Sequence, residues 1–176
     1  MPALQAHFGL SGPVVGYLTD ATVLEAGCTL DVSGWQRPAL EVEVAVRVGP
    51  DGAVAGLAPA LELVDLDLPF DELGPILEGN IFHRGVIFGP EVRGADISGL
   101  AVAVHAGTEE VARGQLGEPP EVTIHVVRAF LAAHGAQLVA GDRIIAGTMI
   151  SPHAVAPGDD LHVSFGALGA LDVSFC

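Results

Sequence analysis

Residues 40–48 read Leu-Glu-Val-Glu-Val-Ala-Val-Arg-Val. Apolar side chains recur at every second position, Leu40, Val42, Val44, Val46 and Val48, which is the period of a β-strand with one buried face. Glu41, Glu43, Ala45 and Arg47 fall on the other face. Asp51-Gly52 follows as a turn, and residues 60–66 return as a second strand that carries Glu62 among apolar neighbours.

Outward from this pair the signals stay mostly of strand type. Residues 69–79 read as a loop with a short helical turn, and 81–88 and 100–105 as β-rich segments. Pro119-Pro120 opens one convincing helix. Val122, Val126, Val127, Phe130 and Leu131 give it an apolar stripe, and His134-Gly135 closes it. Three strands follow at 143–150, 161–165 and 171–175, separated by Gly141-Asp142 and Gly158-Asp159. There is no internal repeat or linker. The expectation is a single β-dominated α+β domain over residues 1–176, with one main helix.

Composition narrows the partners. Twenty-two acids face 7 bases, all of them Arg, for a formal net charge of −15. An acidic chain with no basic cluster argues against nucleic acid and anionic membranes. With no Lys, Schiff-base, Walker-lysine and pyridoxal chemistry are excluded. No apolar run is long enough for a bilayer, and no leader pattern opens the chain. Cys28 and Cys176 fit no metal or redox spacing, so reduced thiols in a cytoplasmic protein are expected.

Chemistry concentrates in the acids. Glu41 and Glu43 stand at i and i+2 on a strand, so both point to one face with Cα atoms about 7 Å apart. Two neighbouring carboxylates repel, and burying both is costly unless a cation joins them. Glu62, in the next strand, would complete three oxygen donors for a hard divalent ion, Mg²⁺ or Mn²⁺, with positions left for substrate. The competing reading is a solvent-facing pair, with Glu62 matched to Arg47 or Arg84. The His residues form no metal motif, and His83 and His153 are the candidates for a general base.

The ordered series Gly16-Tyr17-Leu18-Thr19-Asp20-Ala21, Pro38-Ala39-Leu40-Glu41-Val42-Glu43, Pro59-Ala60-Leu61-Glu62, Gly141-Asp142-Arg143-Ile144-Ile145-Ala146-Gly147-Thr148, Pro157-Gly158-Asp159 and Leu168-Gly169-Ala170-Leu171-Asp172-Val173-Ser174-Phe175 resembles the 2-keto-4-pentenoate hydratase and 4-oxalocrotonate decarboxylase family, within the fumarylacetoacetate hydrolase superfamily. The resemblance implies a mixed β-sandwich roll in homo-oligomers. It implies Glu41, Glu43 and Glu62 as ligands of Mg²⁺ or Mn²⁺. Beside it, His83 and Asn80 are the candidate catalytic residues, and Val14, Tyr17, Leu18, Phe82, Gly147 and Thr148 the candidates around the substrate. The implied substrate is a small anionic 2-oxo acid. The implied reaction is water addition to a 2-hydroxy-2,4-dienoate. The alternatives are 2-oxo acid decarboxylation, C–C hydrolysis, or a diverged subunit without turnover.

Several family positions differ. The family's N-terminal segment with its lysine has no counterpart in a chain without Lys. Val14 stands where members carry Asp. The D-N-A-S stretch reads Gly79-Asn80-Ile81-Phe82, and the E-x-x-D-S-R tail reads Glu62-Leu63-Val64-Asp65-Leu66-Asp67. The acids expected to hold metal persist, while the replacements make the expected pocket more apolar.

Overall fold

The computed structural model describes residues 2–176. Its elements are α1 (Pro2–Phe8), β1 (Val23–Leu24), β2 (Thr29–Leu30), β3 (Pro38–Val48), β4 (Val54–Asp65), α2 (Leu73–Glu78), β5 (His83–Phe88), β6 (Ala101–Ala106) and β7 (Glu109–Gln115), then α3 (Pro120–Ala133), β8 (Arg143–Ile145), β9 (His153–Ala154), β10 (Asp160–Ser164) and β11 (Ala170–Phe175). They form two mixed sheets. One has the order β1-β5-β4-β3-β8, with β9 also pairing β3; the other has β2-β11-β10-β6-β7. This is the β-dominated α+β roll expected from the sequence.

The β3–β4 hairpin is the spine. Its antiparallel register runs from Pro38↔Asp65 to Arg47↔Gly56, and it places Glu41 opposite Glu62 and Glu43 opposite Ala60. The turn is closed by the Gly49 N–H on the Ala53 carbonyl, with Gly52 at φ +75°, a conformation that favours glycine. The even face of β3, Leu40 to Val48, packs against Val102, Val104, Val163 and Val173 of the second sheet in one shared core. Each fully buried Val or Leu there contributes about 1.5–3 kcal/mol relative to exposure.

The odd face of β3 departs from the single-buried-face reading, because Glu41 and Glu43 are each only 2% exposed. Alanines of the first sheet form a second, small cluster there with Val86. A sheet of this kind has one face on the core and one beneath a chain that crosses it, so period-2 patterning undercounts burial.

Three further expectations shift. The strand expected over 81–88 begins only at His83, since Asn80, Ile81 and Phe82 all have positive φ (52°, 58° and 67°). The strand expected over 143–150 stops at Ile145; Gly147, at φ +94°, turns the chain back toward Glu43. Residues 109–115, which lack apolar alternation, form edge strand β7 by backbone pairing with β6. Helix α3 lies where expected, but only Pro120 and Ile124 are buried. Its stripe faces a cavity instead of the core.

Candidate metal centre and substrate cavity

Glu41 and Glu43 project from one side of β3 because they are two residues apart on a pleated strand, and Glu62 joins them because β4 pairs in register. One carboxylate oxygen from each of the three lies within 4.8 Å of the others. Glu43 Oε2 accepts the Gly147 N–H at 2.9 Å. Glu62 Oε1 is 2.7 Å from His83 Nδ1, and His83 Nε2 is 3.0 Å from Thr22 Oγ1. Glu41 Oε1 is buried with no hydrogen-bond partner among the described residues.

The electrostatics are those of carboxyl groups crowded together out of water. Burial, then the neighbouring Glu62, pushes Glu41 up to about 7. Glu43 is driven well above the carboxylate range by burial first, then by Glu62 and Glu41, against the opposing Gly147 hydrogen bond. The proposed Arg partners of Glu62 are committed elsewhere, Arg47 to Glu91 and Arg84 to Asp67. A hard divalent cation takes oxygen ligands at about 2.0–2.6 Å, so carboxylate oxygens up to about 5 Å apart can share one ion. The orphaned Glu41 oxygen, the spacing and the all-oxygen donor set fit Mg²⁺ or a similar ion.

The three carboxylates open on a cavity of about 1320 Å³. The cavity is lined by α3, through Val122, Val126 and Phe130, and by the segment that carries Val14, Tyr17 and Leu18. Tyr17 is 65% exposed, whereas Val14 and Leu18 are half-buried. Gly147 and Thr148 also reach the cavity, but the Gly147 N–H is given to Glu43 and the Thr148 hydroxyl donates to the Ile150 carbonyl at 2.8 Å.

Phe82, expected beside the substrate, does not line the cavity. It is 1% exposed and packs in a separate cluster, with its ring 5.2 Å from that of Phe70. The left-handed turn explains this, because it sends Phe82 inward while Asn80, Ile81 and His83 remain at the cavity. His153 sits on β9 beside Leu40 and does not line the cavity.

Asn80 latches two segments. Its Oδ1 accepts the Tyr17 N–H at 2.9 Å and its Nδ2 donates to the Tyr17 carbonyl at 2.8 Å. A Cβ on Gly16 would lie 2.9 Å from Asn80 Oδ1, so the close approach needs glycine there. Consecutive left-handed non-glycine residues are strained, and Asn tolerates that region better than Ile or Phe. Asn80→Ala should therefore lower stability by about 2 kcal/mol and expose residues 9–19 to protease, while Asn80→Gly should lose the latch but recover the backbone part. Equal melting temperatures for wild type and Asn80→Ala would contradict this.

Two mixed sheets on a common core, with a triad of two buried carboxylates and one half-buried facing a large cavity, define a fumarylacetoacetate hydrolase-like fold with an acidic centre suited to a divalent cation. No family model matches the chain. It is 27% identical over 194 residues to a 4-oxalocrotonate decarboxylase from Pseudomonas putida, covering 98% of this chain and 73% of the relative. It is 28% identical over 200 residues to the 2-oxo-hept-4-ene-1,7-dioate hydratase of Escherichia coli, covering 98% and 74%. In structure it is similar to the 4-oxalocrotonate decarboxylase from Pseudomonas putida G7 complexed with magnesium and adipate, with TM-score 0.87, 24% identity and 98% and 73% coverage. The resemblance drawn from the motifs is borne out, with hydratase and decarboxylase relatives on one fold.

Arg143 and the α3 wall were not among the residues singled out from sequence. The open stripe of α3 reads in sequence like any core-facing helix. Arg143 carried a signal, a charged residue opening an apolar run, but only the register places it on the carboxylate face.

Proposed function

We propose that this chain is a divalent-metal-dependent lyase of small 2-oxo and 2-hydroxydienoate acids, a hydratase that adds water to the dienoate to give a 4-hydroxy-2-oxo acid. The carrying observation is the triad of buried Glu41 and Glu43 with half-buried Glu62, with an orphaned oxygen, lining a cavity that Val122, Val126 and Phe130 also line. The three carboxylates would hold Mg²⁺ or Mn²⁺, which when bound supplies a Lewis acid for a substrate's carboxylate and 2-oxo oxygens and for the negative charge that develops during ketonisation. Such an ion also lets an acidic chain accept an anion.

The chain's own residues supply the remainder. His83 holds the Glu62 carboxylate through Nδ1 and is itself oriented by Thr22, so it acts as a positioning residue. The Gly147 N–H aims the Glu43 carboxylate. Val122, Val126 and Phe130 offer an apolar surface to a hydrocarbon chain and keep bulk water from it. Asn80 fixes the Tyr17 segment at the cavity. His83→Gln is expected to weaken metal affinity by about 10–100-fold, with a matching loss of turnover at limiting metal that excess metal restores. A loss of kcat that saturating metal does not restore would make His83 catalytic.

Decarboxylation is the second reading, favoured by relatives of that name. Following the ultraviolet absorbance of 2-hydroxydienoates with Mg²⁺ and weighing the product separates the two, since gain of water marks a hydratase and loss of CO₂ a decarboxylase. No turnover across a panel of such acids in a metal-loaded protein would overturn both. Among the described residues no helix is long and apolar enough to cross a membrane. We place the protein in the cytoplasm as a homo-oligomer, a reading that gel filtration and fractionation test.

A further inference from the structure

We propose that His105 and His162 form a second metal site, an imidazole pair that takes Zn²⁺ or a similar transition-metal cation on the outer face of the second sheet. It depends neither on the carboxylate triad nor on the lyase reading.

The placement follows from register. His105 of β6 pairs with His162 of β10, His162 with Asp172 of β11, and His105 with Glu110 of β7. Directly paired residues share a face of the sheet, so these four side chains form one row across four adjacent strands. A register shift between Val104 and His105 passes over Val111 and brings Glu110 opposite His105. The sequence neighbours Val104, Leu161, Val163, Leu171 and Val173 point the other way, into the core shared by the two sheets. The row therefore lies on the outer side of the second sheet, whereas Glu41 and Glu43 lie on the outer side of the first.

The hydrogen bonding leaves ring nitrogens uncommitted. Asp172 Oδ1 is 2.7 Å from His162 Nδ1. A carboxylate only accepts, so Nδ1 carries the proton and the lone pair of the neutral ring is at Nε2. A carboxylate behind an imidazole in this way is the common support of a metal-bound histidine. His105 is not engaged at all among the described residues. Its Nδ1 is buried with no partner, and its Nε2 is 3.9 Å from Glu110 Oε2, beyond hydrogen-bond range. Glu110 is instead turned to Arg113, at 2.9 and 2.5 Å. A purely structural pair gives no reason for a buried ring nitrogen without a partner.

The spacing and charge suit a cation. The two ring centres are 6.5 Å apart. Metal–nitrogen bonds of about 2.0–2.1 Å hold two ligating rings with centres about 5–6 Å apart. A small rotation of the two side chains, 31% and 52% exposed, closes that difference. Asp160, two residues before His162 on β10, and Asp172 add negative charge to this face, and the nearby Arg113 is answered by Glu110. Imidazole nitrogen suits Zn²⁺, Cu²⁺ and Ni²⁺, whereas carboxylate oxygen suits Mg²⁺, so the two outer faces sort cations by ligand chemistry. An ion held by both rings clasps β6 to β10 inside the second sheet.

The test uses Zn²⁺ as the probe on full-length Glu43→Gln in excess Mg²⁺, which keeps the triad out of the measurement. Calorimetry should show one Zn²⁺ per chain and a raised melting temperature. His105→Gln and His162→Gln should each weaken Zn²⁺ by more than about 10-fold, and Asp172→Asn by about 10-fold, with zinc-free melting temperatures unchanged. No Zn²⁺ binding overturns the site. So does binding that survives the double variant His105→Gln/His162→Gln, because it places the ion on other histidines. An undiminished affinity in Asp172→Asn overturns the supporting role of that carboxylate. If His105→Gln fails to fold, His162→Gln, on the more exposed ring, decides by the same criterion.

Discussion

Glu43→Gln should abolish the response to metal and sharply lower the turnover of a chain that otherwise keeps its fold. In the wild type, Mg²⁺ at a hundredfold excess over its dissociation constant should add about 2.7 kcal/mol by mass action. For a chain of this size that raises the melting temperature by about 5–10 °C. Glu43 is 2% exposed, carries the Gly147 hydrogen bond and sits with both partners of the cluster, so its neutral isostere removes charge from the centre of the site. Gln can still accept the Gly147 N–H, and it removes a repulsion with Glu41 and Glu62, so the metal-free variant should melt no lower than wild type. Turnover should fall by about 10²–10³-fold, the usual cost of losing a preorganised electrostatic contact. Melting curves with EDTA and with Mg²⁺ read the first effect and dienoate absorbance the second. An undiminished Mg²⁺ shift in Glu43→Gln would remove the triad as a metal centre.

The second large effect is an inverted pH dependence. Glu41 lies near 4.5 in the unfolded chain and is pushed to about 7 in the fold, by burial and then by Glu62. A carboxyl with a raised folded-state value binds its proton more tightly when folded. Its contribution is complete below about 4.5 and is lost as pH rises through about 7. At about 1.36 kcal/mol per pKa unit this amounts to about 3 kcal/mol, and Glu43 shifts in the same direction. The metal-free protein should therefore lose stability between pH 5 and 8, where most acidic proteins are level. Mg²⁺ should reverse the trend, because it replaces the protons that leave. Melting in EDTA and in Mg²⁺ at pH 5, 6, 7 and 8 reads this directly. Metal-free stability that is flat or rising over that window would show that the carboxylates are relieved by some other partner.

Much of this was legible in the residues. The alternation of 40–48 identified β3 and put Glu41 and Glu43 on one side, and the apolar setting of Glu62 marked it as unusual. Helix α3 announced itself by Pro119-Pro120 and His134-Gly135. The misreadings share a cause. Phe82 looked like a pocket residue because nothing local predicts three successive left-handed residues, which are held by bonds such as the Asp65 N–H to the Phe82 carbonyl at 3.0 Å. Edge strand β7 has no apolar period because it pairs through its backbone alone.

Local pattern and composition by themselves determined the strand-rich class and an acidic pair that needs either water or a cation, since these follow from side-chain period and charge. Only the tertiary structure decided that the pair leaves water and gains a third carboxylate. Register across β3 and β4 brings Glu62 to Glu41, the fold leaves Glu41 and Glu43 each 2% exposed, and both Arg alternatives are spent elsewhere. Burial and pairing between distant segments set the local dielectric and the available counterions, and neither quantity is written in any one stretch of chain.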